Sequence, residues 1–214
     1  MKIGYEAKTY TKKYFVKEYL NKETLANEVS GIREMNKVKV DGIMTPTIIS
    51  HNNNILIQEY VKGKKFHSYL FRNCNIFYYN RRLERIFYNF GSFLAELHKH
   101  TTFGDLNSKN IMFVGDSLYL CDPAPRRTPI RDLATLLINM RPFKLFINPF
   151  VNRKKLHLLE NKFLEGYSNV GKKELKDCIK KLIIERRKSC LKKDLIYRIK
   201  KSISNVYERY VWKQ

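Results

Sequence analysis

The feature that most constrains the fold is a change in hydrophobic pattern near residue 61. Residues 14–19 and 55–60 are runs rich in β-branched and aromatic side chains, which is typical of strands. After residue 61, apolar side chains recur instead at helical spacing. The pattern predicts an α+β chain with a β-rich part over residues 1–61 and a mainly helical part over residues 62–214.

Three further elements follow from local patterns. Apolar residues spaced three and four apart predict one amphipathic helix between the two strand runs. The same spacing predicts a single long buried helix over residues 66–100 and helices from residue 132 to the end. Residues 111–114 and 118–121 are short apolar runs joined by Gly115-Asp116-Ser117, which predicts a β-hairpin.

Composition limits the class of protein. With 43% hydrophobic residues, the chain is too apolar to be disordered. It has no apolar run of about 18 residues and no signal-peptide core, so we expect a soluble cytoplasmic protein without a membrane span. The four cysteines form no CxxC pair, which favours reduced thiols and argues against a structural zinc site.

The chain is strongly basic, with a formal net charge of +22. Residues 151–214 contain 19 Lys and Arg against 7 Asp and Glu, so this basic helical tail alone has a net charge of +12. Such a stretch is either an ordinary amphipathic helix with a solvated face or a surface that binds nucleic acid or an acidic partner.

Oxygen-bearing side chains cluster around the predicted hairpin. Asp105 and Asn110 precede the hairpin, and Asp122 directly follows it. Mg²⁺ prefers one or two such ligands together with phosphate oxygens. The pattern therefore favours Asn110 and Asp122 as metal ligands, with Asp105 as a base that accepts a hydroxyl proton, which is the arrangement of kinase-type phosphoryl transfer.

These motifs resemble the protein-kinase-like superfamily. The similarity is to the small branch that holds aminoglycoside phosphotransferases, RIO kinases and the kinase subunit of the KEOPS complex. Its catalytic loop reads H-G-D-x-x-x-x-N, which Gly104, Asp105 and Asn110 match at the same spacing. Further matches, in the same order as in the family, are Gly42 to Pro46, Glu59 to Gly63, Leu97-His98 and Asp132-Leu133-Ala134.

The resemblance implies a bilobal fold, with a small antiparallel β lobe carrying one helix and a larger helical lobe that contains the catalytic loop, 103–122. It also implies ATP and Mg²⁺ as cofactors. The adenine would bind the backbone of the hinge, Glu59, Tyr60 and Val61. A strand lysine would hold the phosphates and a helix glutamate would fix that lysine.

Lys17 and Glu28 fit the last two roles best. Lys17 ends the run Tyr14-Phe15-Val16, although Lys12, Lys13 and Lys22 are alternatives. Glu28 shares the apolar face of its helix, whereas Glu34 lies about 200° round the helix from Ile32.

The chain departs from the family pattern in three places. Phe103 replaces the family histidine two residues before the catalytic aspartate. Asp122-Pro123-Ala124-Pro125 replaces Asp-Phe-Gly, which predicts a stiff backbone rather than a flipping switch. Gly4 is the only glycine in the first thirty residues, so a glycine-rich loop is missing. Either the backbone of residues 5–8 covers the phosphates instead, or the phosphates are left more open to solvent.

Asp132 follows only ten positions after Asp122, too close for a long phosphorylatable activation segment. Arg126, Arg127 and Arg131 fall within this span, where they either hold an anionic acceptor or pair with surface carboxylates. Asp132 is expected to bond the catalytic-loop backbone, and His98 to end a helix.

The sequence thus favours an ATP-dependent kinase that transfers the γ-phosphate to a protein Ser/Thr or to a small-molecule or sugar hydroxyl. The alternative is a weakly active or inactive kinase-fold protein that contacts nucleic acid or an acidic partner through its basic C-terminal helices. The three retained polar residues, Asp105, Asn110 and Asp122, favour the enzyme. Phe103 and the missing glycine-rich loop favour the binding protein.

Overall fold

The structure is a computed structural model that describes residues 2–8, 13–75, 78–125, 127–140, 152–168, 170–185 and 188. Strands dominate the first third of the chain and helices the rest, which gives the α+β class predicted from the sequence. The strands are β1 (Lys2–Lys8), β2 (Lys13–Tyr19), β3 (Ile43–Met44), β4 (Ile48–Asn52), β5 (Ile55–Glu59), β6 (Lys64–Lys65), β7 (Ile111–Val114) and β8 (Ser117–Leu120). The helices are α1 (Lys22–Lys37), α2 (Phe66–Asn73), α3 (Arg82–Leu97), α4 (Pro129–Met140), α5 (Arg153–Tyr167) and α6, the helical residues 172–185.

The first sheet has the strand order β1-β2-β5-β4, and all its neighbours are antiparallel. Tyr19 and Leu56 lie in its buried interior, as expected of strands with alternating burial. β2 pairs with β5 in a register that sets Lys17 opposite Leu56. Paired residues share one face of a sheet, so Lys17 lies on the face that Leu56 buries.

The predicted hairpin is confirmed and forms the centre of a second sheet, ordered β3-β8-β7-β6. Gly115 takes a φ of +59° in its turn, a conformation that glycine adopts without strain. β3, which follows α1, pairs in parallel with β8, while β6 pairs antiparallel with β7. The second sheet therefore joins chain segments from both sides of residue 61.

The helix predicted between the strand runs is α1. Asn21 caps it by accepting a hydrogen bond from the backbone N–H of Glu23, which satisfies one of the free donors at a helix start. Its buried face contains the four periodic apolar residues, Leu25, Val29, Ile32 and Met35. The charged residue Glu28 is buried among them.

The prediction of one long helix over residues 66–100 is wrong, because the structure has two helices there, α2 and α3. α2 ends where Cys74 donates its backbone N–H to the carbonyl of Leu70. An isolated bridge between Cys74 and Tyr79 then turns the chain before α3 begins. Both helices bury an apolar face in the same core, which is why the helical spacing persists across the break.

α3 and α5 cross at very close range. A Cβ atom added to Gly91 of α3 would lie 2.0 Å from the carbonyl oxygen of Phe163, and one added to Gly166 would lie 1.9 Å from that of Tyr88. The two backbones therefore touch directly, and only glycine fits at either position. The crossing thus holds α3 against α5, and the 103–110 loop follows the end of α3.

None of the helices in the described ranges combines the length and the hydrophobicity of a membrane-spanning segment.

Candidate functional site

Lys17 and Glu28 form a buried ion pair between β2 and α1. The Lys17 ammonium donates to Glu28 Oε1 over 2.5 Å. Lys17 is 1% exposed and Glu28 is 2% exposed, which is rare for charged side chains unless they are paired. Glu34, the other glutamate considered, instead pairs with Lys37 on the surface.

Asp122 joins this pair from a distant part of the chain. It follows β8 directly, with a φ of +61°, and its Oδ1 accepts a hydrogen bond from the Lys17 ammonium. A non-glycine residue in that left-handed region is uncommon and concentrates at functional sites. One cation thus joins β2, α1 and the end of the hairpin.

The charges of the cluster stabilise its ionised state. Burial lowers the pKa of Lys17, but the carboxylates of Asp122 and Glu28 outweigh burial and raise the pKa above its ordinary value. The neighbouring thiol is instead kept uncharged, since burial and then the Asp122 charge raise the pKa of Cys121 to about 12. Lys17 is therefore a permanent cation at neutral pH, and Cys121 is a neutral thiol.

The catalytic loop folds around Asp105. Its Oδ2 accepts hydrogen bonds from the side-chain amide of Asn107 over 2.9 Å and from that of Asn110 over 3.3 Å. The Asn110 amide also donates to the backbone carbonyl of Asp105 over 2.9 Å. These bonds hold a half-buried carboxylate in one orientation, with its second oxygen towards Arg127.

Asn110 and Asp122 lie at the two ends of the hairpin, as the sequence predicted. The backbone N–H of Cys121 donates to the carbonyl of Asn110 over 2.8 Å, which ties the two ends together. Because Asp105 engages the amide nitrogen of Asn110, the amide oxygen is the atom that Asn110 can offer to a cation.

These two oxygen donors fit Mg²⁺, which usually takes one or two protein oxygens and completes its shell with water and phosphate. They do not fit a metal held by protein alone. Within the described part of the chain, no group of three or more His, Cys, Asp or Glu side chains could hold a metal ion.

Asp132 fixes the start of the catalytic loop, which confirms the structural role expected for it. Its carboxylate accepts backbone hydrogen bonds from Phe103 over 2.7 Å and from Gly104 over 2.9 Å. Phe103 is fully buried, so it keeps the packing at this position while Asp132 bonds its backbone. Asp105 follows immediately.

His98 does more than end α3, and the sequence interpretation missed this. It is the C-terminal cap of that helix, but its ring also bridges Asp132, 3.3 Å from Nε2, and the Tyr167 hydroxyl, 2.8 Å from Nδ1. The match of Leu97-His98 to the family pattern was the one signal that could have identified it.

The segment after Asp122 is packed tightly on both sides. Ala124 donates its N–H to the carbonyl of Phe103 over 2.7 Å, and its own carbonyl lies 1.5 Å from where a Cβ of Gly104 would be. Gly104 has a φ of +83°, so glycine is required here for two reasons. On the other side, Pro123 packs against Gly31 of α1.

The predicted hinge follows the end of β5. Glu59 is tied to Thr47, because its N–H donates to the Thr47 carbonyl over 2.9 Å and its side chain accepts from the Thr47 N–H over 3.2 Å. Tyr60 and Val61 follow and are partly buried.

Gln58, just before the hinge, has a buried side-chain oxygen that accepts no hydrogen bond within the described structure. It is 3% exposed, and its Oε1 has no hydrogen-bond partner among the residues described. By the β2–β5 register it shares the face of the sheet that carries Lys17. A buried carbonyl oxygen without a donor fits a bound group that carries an N–H, such as an adenine amine.

Some predicted features fall elsewhere. Lys22 is exposed at the start of α1, while Lys12 and the side chain of Lys13 lie outside the described residues. Residues 5–8, expected to cover the phosphates, belong to β1, and the β1–β2 connection is likewise outside them. The part of the basic tail after residue 185, apart from residue 188, also lies outside the described residues.

The arginines after Asp122 differ from one another. Arg131 pairs with Glu185 of α6 over 2.8 Å, which is the surface pairing considered from the sequence. Arg127 instead lies near Asp105, with Nη1 4.0 Å from Oδ1. Arg126 lies outside the described residues.

Two solved structures of the aminoglycoside phosphotransferase APH(2")-IIa are similar to this chain. Its ternary complex with streptomycin and ATP aligns with a TM-score of 0.56 and 12% identity, covering 83% of this chain and 81% of that one. Its gentamicin complex aligns with a TM-score of 0.58 and 12% identity, covering 86% and 78%.

One curated relative is similar in sequence, the EKC/KEOPS complex subunit bud32 of Dictyostelium discoideum. It is 27% identical over 84 residues, which is 38% of this chain and 33% of that protein. The match thus spans about a third of the length of the relative. No protein-family model matches the chain.

The chain has a protein-kinase-like fold. The first sheet and α1 form the small antiparallel β lobe, and the remaining helices with the hairpin form the larger, mainly helical lobe. This confirms the fold and the resemblance inferred from the sequence motifs.

Proposed function

We propose that the protein is an ATP-dependent phosphotransferase that moves the γ-phosphate of ATP to a hydroxyl group. The observation that carries this proposal is the bonding of Lys17 to both Glu28 and Asp122. Lys17 and Asp122 are 105 residues apart, and because desolvation offsets much of the attraction between buried charges, such a cluster points to a role other than stability. A lysine held in this way is suited to phosphate oxygens.

Each polar residue has one task in this proposal. Lys17 binds the α- and β-phosphates and Glu28 orients it. Asn110 and Asp122 would hold Mg²⁺, and the bound ion would neutralise part of the phosphate charge. Asp105 accepts the proton of the acceptor hydroxyl while the acceptor oxygen bonds to the γ-phosphorus, the bond from that phosphorus to the bridging oxygen breaks, and ADP leaves.

The nucleotide would lie in the cleft between the lobes, with residues 1–61 as its binding lobe and residues 62–214 as the lobe that carries the catalytic loop. The adenine would contact the backbone of Glu59, Tyr60 and Val61. The orphaned Oε1 of Gln58 supports this placement, since it lies just before these residues and lacks a donor within the described structure. APH(2")-IIa, which shares the fold, is known in a complex with ATP.

The acceptor belongs to the class of alcohols. The resemblance to the KEOPS and RIO branch favours a protein Ser/Thr, and the similarity to APH(2")-IIa favours a small molecule or a sugar. The span of ten residues from Asp122 to Asp132 leaves little room for a peptide-docking segment, which supports the small acceptor.

The test is release of labelled phosphate or of a labelled product from γ-labelled ATP with Mg²⁺. We expect Asp105→Asn and Asp122→Asn to reduce turnover by about 100-fold or more, the first by removing the proposed base and the second by removing a proposed Mg²⁺ ligand. Asp116→Asn is the matched control, because Asp116 is exposed in the hairpin turn and pairs only with Arg82 among the described residues. It should leave turnover unchanged.

Nucleotide binding gives a second readout, the shift in melting temperature with ATP and Mg²⁺. Asp122→Asn should abolish the Mg²⁺-dependent part of the shift, and Asp105→Asn should retain it. If the folded wild-type protein shows neither turnover nor an Mg²⁺-dependent shift, the proposal is wrong. The protein would then be a kinase-fold binding protein, to be tested by its affinity for nucleic acid at two salt concentrations.

A further inference from the structure

Arg127 lies beside the proposed catalytic base without bonding to it. Its Nη1 is 4.0 Å from Oδ1 of Asp105, and both side chains are 40% exposed. Protein hydrogen bonds from N–H to oxygen are about 2.7–3.2 Å long, so the two charges attract each other without a hydrogen bond between them. Arg127 therefore keeps its N–H donors available beside the carboxylate that would accept the hydroxyl proton.

The donors of Arg127 are otherwise unused within the described structure. Asp105 is the only carboxylate there within 4.0 Å of its guanidinium. Arg131, four residues on, is held by Glu185. A guanidinium has five N–H donors in a planar fork, which matches the oxygens of a phosphate or a carboxylate.

The backbone that carries Arg127 is anchored on both sides. Before it, Ala124 is bonded to Phe103 and Pro123 packs against Gly31. After it, the carbonyl of Thr128 accepts the first hydrogen bonds of α4. Because the described residues on both sides of Arg127 are tied to the rest of the lobe, binding a ligand through Arg127 costs little ordering of the chain.

A second cation lies in the catalytic loop. Lys109 is exposed next to Asn110, and no carboxylate of the described residues lies within 4.0 Å of its ammonium. Asp105 is the only acidic residue between positions 103 and 110. Arg127 and Lys109 thus add two cations beside the base, which favours anionic ligands over amines.

We infer that the acceptor is an alcohol that carries an anionic group, a phosphate or a carboxylate, close to its hydroxyl, and that Arg127 binds this group. The inference rests on the proposed function and names the substrate class of the same site. In this inference the Arg127 guanidinium has one edge towards Asp105 and uses its remaining N–H donors for the anionic group of the ligand. The transfer step is the one already described, in which the hydroxyl proton passes to Asp105 and ADP leaves.

The test compares matched alcohols that differ in charge. Glucose is paired with glucose 6-phosphate, galactose with galacturonate, and the aminoglycoside kanamycin serves as the cationic member. Release of ADP is measured against the concentration of each compound, and products are identified by mass. The phosphate and carboxylate pairs separate the two kinds of anion.

We expect the anionic member of at least one pair to act at a concentration about 10-fold or more below that of its neutral partner, as one charged hydrogen-bonding group warrants. Arg127→Gln should remove this preference, and Arg127→Glu should reverse it in favour of kanamycin. Arg85→Gln is the matched control, because Arg85 is an exposed arginine of α3 that pairs with Asp41. Melting temperatures verify that each variant is folded.

Equal responses to both members of every pair, including no response, would overturn the inference. So would a preference that survives in Arg127→Glu or is lost equally in Arg85→Gln. Phosphorylation of neutral or cationic alcohols in preference to anions would overturn it while leaving the phosphotransferase proposal intact. If no compound is labelled and no ADP forms even without an acceptor, the proposed function fails, and this inference with it.

Discussion

Gly31 of α1 and Pro123 after the hairpin are in direct contact, such that a Cβ added at residue 31 would lie 2.9 Å from the Cβ of Pro123. Glu28, which binds Lys17, lies three residues before Gly31 on the same buried face of the helix. The position of α1 is therefore set twice, by an ion pair and by packing against a proline ring. This contact agrees with the stiff backbone expected after Asp122 and leaves α1 little freedom to move.

Replacing Gly31 with valine should separate α1 from Pro123. We expect Gly31→Val to lower the free energy of unfolding by about 1–3 kcal/mol, the usual cost of overpacking, and to lower ATP turnover as well. Ser30→Val, at the exposed neighbouring position, should change stability by less than about 0.5 kcal/mol. Urea unfolding measures both. A Gly31→Val protein as stable as the wild type would contradict the contact.

Removing the Lys17 cation should leave two carboxylates facing each other. We expect Lys17→Met to destabilise the fold by about 3–5 kcal/mol at pH 7, as for other buried pairs that lose one partner. Because the pKa of Lys17 is raised above 10.5, the stabilisation by its ammonium is complete below pH 10.5 and is lost as the pH rises through the folded value.

The difference in unfolding free energy between wild type and Lys17→Met should therefore shrink above pH 10.5. Lys22→Met, at the exposed start of α1, is the control and should match the wild type at both pH values. Urea unfolding at pH 7 and above pH 10.5 provides the measurement. A constant difference across this range would show that the charge of Lys17 is not what stabilises the cluster.

Asp132→Asn tests the anchor of the catalytic loop. The carboxylate accepts from two backbone N–H groups and contacts His98, so an amide would direct its NH₂ at a donor. We expect a loss of about 2–4 kcal/mol of stability, from weakened charge-assisted bonds and one unsatisfied group. The same substitution at exposed Asp116 should cost less than about 0.5 kcal/mol, and equal losses in thermal melts would refute the role given to Asp132.

Two glycines with positive φ make a matched pair. Gly104→Ala adds a Cβ that would meet the Ala124 carbonyl, whereas Gly115→Ala adds one with nothing within 4 Å. Both variants carry a conformational cost of about 1–2 kcal/mol. The loss of stability in Gly104→Ala should be several-fold larger than this conformational cost. Turnover should also be abolished, because the loop before Asp105 must shift. Similar melting temperatures for the two variants would argue against the close approach.

The strands β2 and β5, the hairpin and α1 could be predicted because their signals are local. Alternating or helically spaced apolar residues reflect burial of one face within a few neighbouring positions. The break between α2 and α3 could not be found in this way, since both helices bury their faces in one core and the spacing continues across the break. The bridge from Cys74 to Tyr79, which turns the chain, is local, but no Gly or Pro lies between the two residues to mark a turn.

The candidate site was predictable in its residue types and in two of its contacts, Lys17 with Glu28 and Asp132 with the loop backbone, but not in the others. Motif spacing identified Asp105, Asn110 and Asp122, and helix geometry selected Glu28 over Glu34 as the residue to face Lys17. The pairs Gly31–Pro123, His98–Tyr167 and Arg127–Asp105 join positions far apart in the chain. They depend on how elements pack, which single-sequence patterns do not encode.

The parallel pairing of β3 with β8 has a mechanical consequence. Ile43 and Met44 pair with Leu118 and Tyr119, so the chain that follows α1 is bonded directly to the hairpin of the larger lobe. The two lobes are thus joined by a strand pairing as well as by the 60–63 connection. Together with the Gly31–Pro123 contact and the Lys17–Asp122 ion pair, this pairing restrains movement of one lobe against the other.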